Sequence, residues 1–159
     1  NEVESEIELL TSAISRIRNI RASLNIPPGK RANLVVRGDK RLTDILENHI
    51  VYLERLVKID DIHCGTNINK PAQSAMAVLQ GMELFIPLAE LINVGDEIKR
   101  IEKQISEMDG RLNAVNAKLN NTNFVDRAPD QVVQNERRKQ SEYKISLEKL
   151  QINLKSLKG

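Results

Sequence analysis

The chain has 159 residues, enough for one compact domain or for a small domain carrying an extended arm. Aromatic residues make up 3% with no Trp, which excludes a large aromatic core, and the single cysteine excludes an internal disulfide. The net charge of +2 is too small by itself to define a partner. No apolar run is long enough to cross a membrane and no leader-like N-terminus is present, so a reducing, cytosolic setting without membrane contact is expected.

The first segment reads as a helix. Ile7, Leu10, Ile14, Ile17 and Leu24 recur at helical steps. Glu2, Glu4, Glu6 and Glu8 sit where the helix dipole favours anions. Arg16, Arg18 and Arg21 follow, and Pro27-Pro28-Gly29 ends the helix, because a residue before proline avoids helical angles. No partner for its apolar face is evident within the chain, so that face is expected to pack on a preceding domain.

Residues 31–37 predict a strand closed by Gly38-Asp39, and residues 41–57 a helix with Leu42, Ile45, Leu46, Ile50, Leu53 and Val57 on one side. Ile59–Cys64 predicts a second strand. Ser74–Leu79 and Met82–Ile86 flank Gln80-Gly81, the signature of a tight hairpin with glycine at a positive φ. Strand, helix, strand and hairpin make a small α/β unit of about 60 residues, near the lower limit for independent stability.

The strongest pattern comes last. Val94, Ile98, Ile101, Ile105, Met108, Leu112, Val115 and Leu119 alternate by four and three. Val133, Glu136, Gln140, Tyr143, Leu147, Leu150, Leu154 and Leu157 do the same after an Asn-rich connection and Pro129. Such spacing makes a coiled-coil seam. The two helices have matched lengths of about 40 and 43 Å at 1.5 Å per residue, as one antiparallel hairpin requires. The expected fold class is therefore α+β: an N-terminal helix (1–30), a small α/β connecting unit (31–92) and a long antiparallel two-helix coiled coil (93–159). Glu136 and Gln140 interrupt the seam near the hairpin end. Partial solvation there is the expected reason, with a register lock as the alternative.

Nothing in the chain forms a catalytic constellation. There is no phosphate-cradling glycine loop and no supported nucleophile set. His49, His63 and Asp60-Asp61 read as structural or solvated positions. His63 and Cys64 would point to opposite faces of a strand, which disfavours a shared metal.

Binding remains. Residues 1–92 hold eleven Lys/Arg against twelve Asp/Glu, whereas residues 93–159 hold thirteen against ten. The excess lies toward the hairpin end, where Arg111, Lys118, Arg127, Arg137, Arg138 and Lys139 are the candidates for holding a nucleic-acid backbone. The alternative for these side chains is a solvated helix face with local ion pairs. Phe124, in the connection, either stacks on an exposed base or caps the apolar seam.

Three stretches together carry a resemblance. Ile17-Arg18-Asn19-Ile20-Arg21-Ala22 with Asn25-Ile26-Pro27-Pro28 is similar to the last helix of the anticodon-binding domain of valyl-tRNA synthetases. Gly81-Met82-Glu83-Leu84-Phe85-Ile86-Pro87-Leu88-Ala89 resembles the segment leading into that family's C-terminal arm, and Asn123-Phe124-Val125-Asp126-Arg127-Ala128-Pro129 with Val132-Val133 and Glu136-Arg137 resembles the arm's hairpin turn.

The resemblance implies a piece of a class I synthetase that joins valine to its tRNA with ATP, with tRNA(Val) and the remainder of the parent enzyme as partners. It also implies arm contacts at the outer corner of the tRNA, and possible further contacts from Arg16, Arg18 and Arg21. The nucleotide-binding signatures and the editing domain are absent from these residues, so no cofactor, ATP, valine or zinc role falls on any of them and no catalysis is expected. The helical pairing is expected within one molecule, giving a monomer. A coiled-coil protein-interaction module is the competing reading.

Overall fold

A computed structural model describes residues 2–159. They form an α+β arrangement in two compact units, one comprising the residues up to Glu97 with Ser156–Gly159 and the other Ile98–Lys155.

In the first unit, β1 (Ala32–Arg37), β2 (Ile59–Gly65), β3 (Ser74–Leu79) and β4 (Met82–Pro87) form one sheet in the order β2-β1-β4-β3. β1 runs parallel to β2 and antiparallel to β4, and β3 is antiparallel to β4. Registry places Cys64, Val36, Leu84 and Ala77 in one row across the sheet and His63, Val35, Phe85 and Met76 in the next. Successive strand residues face opposite sides, so these rows belong to different faces. The β3–β4 turn is the expected one, with Gln80 and Gly81 both at positive φ (49° and 81°).

The face bearing Leu34, Val36, Leu84 and Ile86, all buried, meets the helices. α1 (Glu2–Ser23) packs on β3 and on the next two helices, so the expectation that its apolar face lacks a partner in this chain is corrected. The buried stripe keeps Ile14, Ile17 and Leu24 of the one expected and adds Leu9, Ala13 and Ile20, whereas Ile7 is 59% exposed and Leu10 half-buried. Ala13 widens it, because a small side chain allows close helix packing while adding little to a hydrophobic pattern.

The expected helix over 41–57 is two. α2 (Lys40–Asn48) and α3 (Ile50–Val57) are separated at His49, whose φ of −111° and ψ of 22° leave the helical region. The His49 Nδ1 lies 2.8 Å from the Ile45 carbonyl oxygen, a local contact that helps satisfy the broken turn. Each short helix then turns its own face inward, Thr43 and Leu46 from α2, Leu53 and Val57 from α3. Asp39 caps α2 by accepting from the Arg41 amide, and α3 stops at Lys58 in the left-handed conformation (φ 57°). On the opposite face of the sheet, the Arg37 guanidinium stands 5.3 Å over the Phe85 ring and pairs with Glu83.

The second unit holds most of two long helices. α4 (Val94–Asn120) and α6 (Asp130–Lys158) are joined by a connection that is itself helical over α5 (Thr122–Arg127), where the sequence suggested only a loop. Asn121 makes this possible by capping α5, its side chain accepting from the Asn123 amide at 3.1 Å.

Gly38 follows β1 where a Cβ would meet the Met82 Cγ at 2.5 Å and the Met82 Cα at 3.2 Å. Met82 is fully buried and cannot swing away. Gly38→Ala should lower the unfolding free energy of the sheet unit by about 1–3 kcal/mol, measured by urea denaturation, and an unchanged midpoint would refute this close approach.

Candidate nucleic-acid interface

The interface candidates depend on the helical pair for their placement. Along α4, Ile98, Ile101, Ile105, Met108, Leu112, Val115 and Leu119 are each buried or half-buried. So are Val133, Glu136, Gln140, Tyr143, Leu147, Leu150 and Leu154 on α6. This is the alternation of a seam, and two cross-helix polar contacts fix how the helices align. Gln140 Nε2 donates to Asn116 Oδ1 at 2.6 Å, and Lys118 Nζ lies 3.6 Å from Glu136 Oε1.

Glu136 is 6% exposed, so partial solvation does not explain the polar residue in the seam. Its Oε1 accepts from Lys139 at 3.1 Å, while Oε2 is buried without a partner. The hydrogen bond from Lys139 holds the carboxyl below its ordinary value, against the opposing effect of burial and with help from the nearby Lys118 charge. The polar pairs therefore act as the register lock, the alternative in the sequence reading.

The six cations at the hairpin end divide by what they hold. Lys118 and Lys139 share Glu136, and Arg138 pairs with Glu142 at 3.5 Å one turn along. Arg111, Arg127 and Arg137 are exposed and have no ion pair or side-chain hydrogen bond among the described residues. Arg111 and Lys118 are seven residues apart and share a side of α4, which the Glu136 bridge joins to Lys139. Arg137 and Lys139 are separated by about 200° around α6, so Arg137 falls across the seam. The cations thus surround the end of the hairpin and do not form one stripe. Phe124, on α5, is half-buried.

The first-helix candidates also separate. Arg16 and Arg18 are exposed. Arg21 is buried, and its Nη2 donates to the Pro27 and Lys30 carbonyls at 2.9 and 2.6 Å, which fastens the loop after α1. The sequence reading missed Glu136 as an anchor for two lysines. The available signal was its seam position three residues before Lys139.

Other titratable groups do not converge. Among the described residues no group of three or more His, Cys, Asp or Glu is placed to hold a metal. His63 is exposed, and Cys64 is half-buried. Burial, aided by Glu47 and Asp44, pushes the Cys64 thiol up to about 12. Among the described residues no helix is long and apolar enough to cross a membrane.

These features define a class first: an antiparallel two-helix arm, locked by polar pairs and ringed by cations at its turn, in a chain that also forms a small α+β unit. Residues 93–158 match the family model described as the valyl tRNA synthetase tRNA binding arm. The chain belongs to the valyl-tRNA synthetase family, corresponding to its C-terminal region. It is 38% identical to the valine–tRNA ligase of Enterococcus faecalis over 86% of this chain and 16% of that protein. Identity is 35% with that of Geobacillus stearothermophilus and 31% with that of Bacillus subtilis, each over 99% of this chain and 18% of the relative. The chain thus spans less than a fifth of the length of these curated relatives.

Two expectations follow from the lowered Glu136 carboxyl and the raised Cys64 thiol. A depressed folded-state value means that Glu136 contributes its full stabilisation above its ordinary value of 4.5 and loses it as pH falls through the lower folded value. Acid titration of helicity at 222 nm should therefore be flatter in Glu136→Gln than in the native chain, and superimposable curves would remove the lock. At pH 8, Cys64 should alkylate about a thousandfold more slowly than an unhindered thiol, because only the thiolate reacts. A rate equal to that of a free cysteine would contradict its environment.

Proposed function

We propose that this chain is the non-catalytic, tRNA-contacting region of a valine–tRNA ligase. In this reading Arg111, Lys118, Arg127, Arg137, Arg138 and Lys139 hold the sugar–phosphate backbone of tRNA(Val), and the rest of the protein carries out ATP-dependent aminoacylation. The observation that supports it most is the set of three arginines, Arg111, Arg127 and Arg137, displayed around a locked hairpin end without carboxylate partners. Cations that are not neutralised locally remain available to displace counterions from a polyanion.

Such contacts position a nucleic acid without reading its bases. Specificity for the valine tRNA is then set elsewhere in the enzyme. Exposed Arg16 and Arg18 offer further backbone contacts from the first unit. ATP and valine are handled outside these residues, which need no cofactor of their own. The seam is satisfied within one molecule, which supports a monomer.

A second reading is a protein-interaction module. Ile145 and Ile152 are 50% and 62% exposed and lie one heptad apart on α6, the spacing of a stripe able to meet another helix. Concentration-dependent association in sedimentation, abolished by Ile145→Ser with Ile152→Ser, would favour it.

Replacing Arg111, Arg127 and Arg137 together with Ala should weaken binding of a tRNA(Val) transcript and reduce the slope of log affinity against log salt by about 3. Helicity should be unchanged. Equal affinity and slope for variant and native chain would falsify the arm contact.

A further inference from the structure

A recess of about 320 Å³ lies between the end of α1, the loop after it and the end of α3. Arg18, Arg21 and Lys58 line it together with Ile26, Pro28 and Leu56, and no acidic residue is among its lining. None of the three cations has an ion-pair partner among the described residues.

Arg21 is the unusual member. The residue is 9% exposed, and while Nη2 is held by two carbonyls, Nη1 is closed off from solvent without any hydrogen-bond partner. A buried guanidinium with carbonyl partners keeps its whole charge, and surrounding low-dielectric material lets that charge act on whatever occupies the recess. Burial draws Arg21 below the usual guanidinium value.

We infer that this recess is a second RNA-contact site, in which exposed Arg18 and Lys58 grip one backbone phosphate directly and buried Arg21 adds attraction from the floor. The inference rests on the RNA-contacting reading above and adds a site to it in the other unit. The apolar wall of Ile26, Pro28 and Leu56 favours a phosphodiester over free phosphate, since a sugar or base can cover that wall while a hydrated inorganic ion cannot. The backbone also holds one gripping group in place. Lys58 ends α3 in the left-handed conformation, and its carbonyl accepts from the Ala32 amide at 2.9 Å, tying it to the first residue of β1.

The test uses the full chain and leaves Arg21 intact, because its carbonyl contacts hold the loop. Arg18→Gln with Lys58→Gly removes both gripping charges, and glycine accepts the left-handed backbone at position 58. Thermal melts confirm that the double variant folds. Binding of a tRNA(Val) transcript is then measured across a salt series for the native chain, this double variant, the Arg111/Arg127/Arg137→Ala variant and their combination.

The double variant is expected to bind about tenfold more weakly at low salt, with a slope reduced by about 2, and its effect should add to that of the arm variant. An unchanged double variant beside a weakened arm variant overturns the recess and leaves the arm standing. A weakened double variant beside an unchanged arm variant does the reverse. A native chain that binds no transcript overturns both. If inorganic phosphate shifts the Arg18 and Lys58 resonances while the double variant binds RNA normally, the site takes free phosphate and the RNA assignment is wrong.

Discussion

Two helices alone bury only one face each, and that limit shapes the long unit. Along the seam most aliphatic side chains remain half-exposed, with full burial reached at few layers such as Ile101, Val115 and Val133. Apolar contact drives the helices together but is tolerant of sliding, because one aliphatic layer resembles the next. The contacts that discriminate among alignments are polar. Asn116 with Gln140, and Lys118 with Glu136, each find a partner in one register only. Their location near the turn puts the discrimination where the cations are displayed. Burying the Glu136 carboxylate has a desolvation cost, which two lysines offset in part and the unpartnered Oε2 does not.

The lock also sorts the charges. Lys118 and Lys139 count toward the positive excess seen in the sequence, yet both are turned to Glu136, and Arg138 is turned to Glu142. The arginines that remain, one on each helical element of the hairpin, keep their forks open. Arginine suits this position because its planar fork matches a phosphate and it is only weakly hydrated.

Much of this was legible in the sequence, and the reasons differ by element. The seam was readable residue by residue because a heptad has a single geometric solution, and the β3–β4 turn because Gln-Gly flanked by alternating strands has few others. The break at His49 was not readable. No proline or glycine marks it, and the residues on either side continue a helical pattern that only tertiary packing interrupts. α1 and the centre of its buried face, Ile14, Ile17 and Leu24, were readable, but its first turns were not: Ile7 is exposed, and Leu9 and Ala13 are buried there. Of the binding candidates, charge and position could be read but not partnership. Arg21 and Arg18 are indistinguishable on paper, and the fold makes one a buried brace and leaves the other in water.

The polar cross-links place a restriction on how this hairpin can change over evolutionary time. A one-residue insertion in either helix between a cross-link and the seam beyond it advances that helix by about 1.5 Å and turns it by about 100°, which would swing aliphatic groups to water while the cross-links stay put. Gains or losses of length are therefore tolerable as whole heptads taken from both helices at once. Relatives with longer or shorter hairpins should differ by paired sevens, with the segment from Asn116 to Gln140 kept at constant spacing.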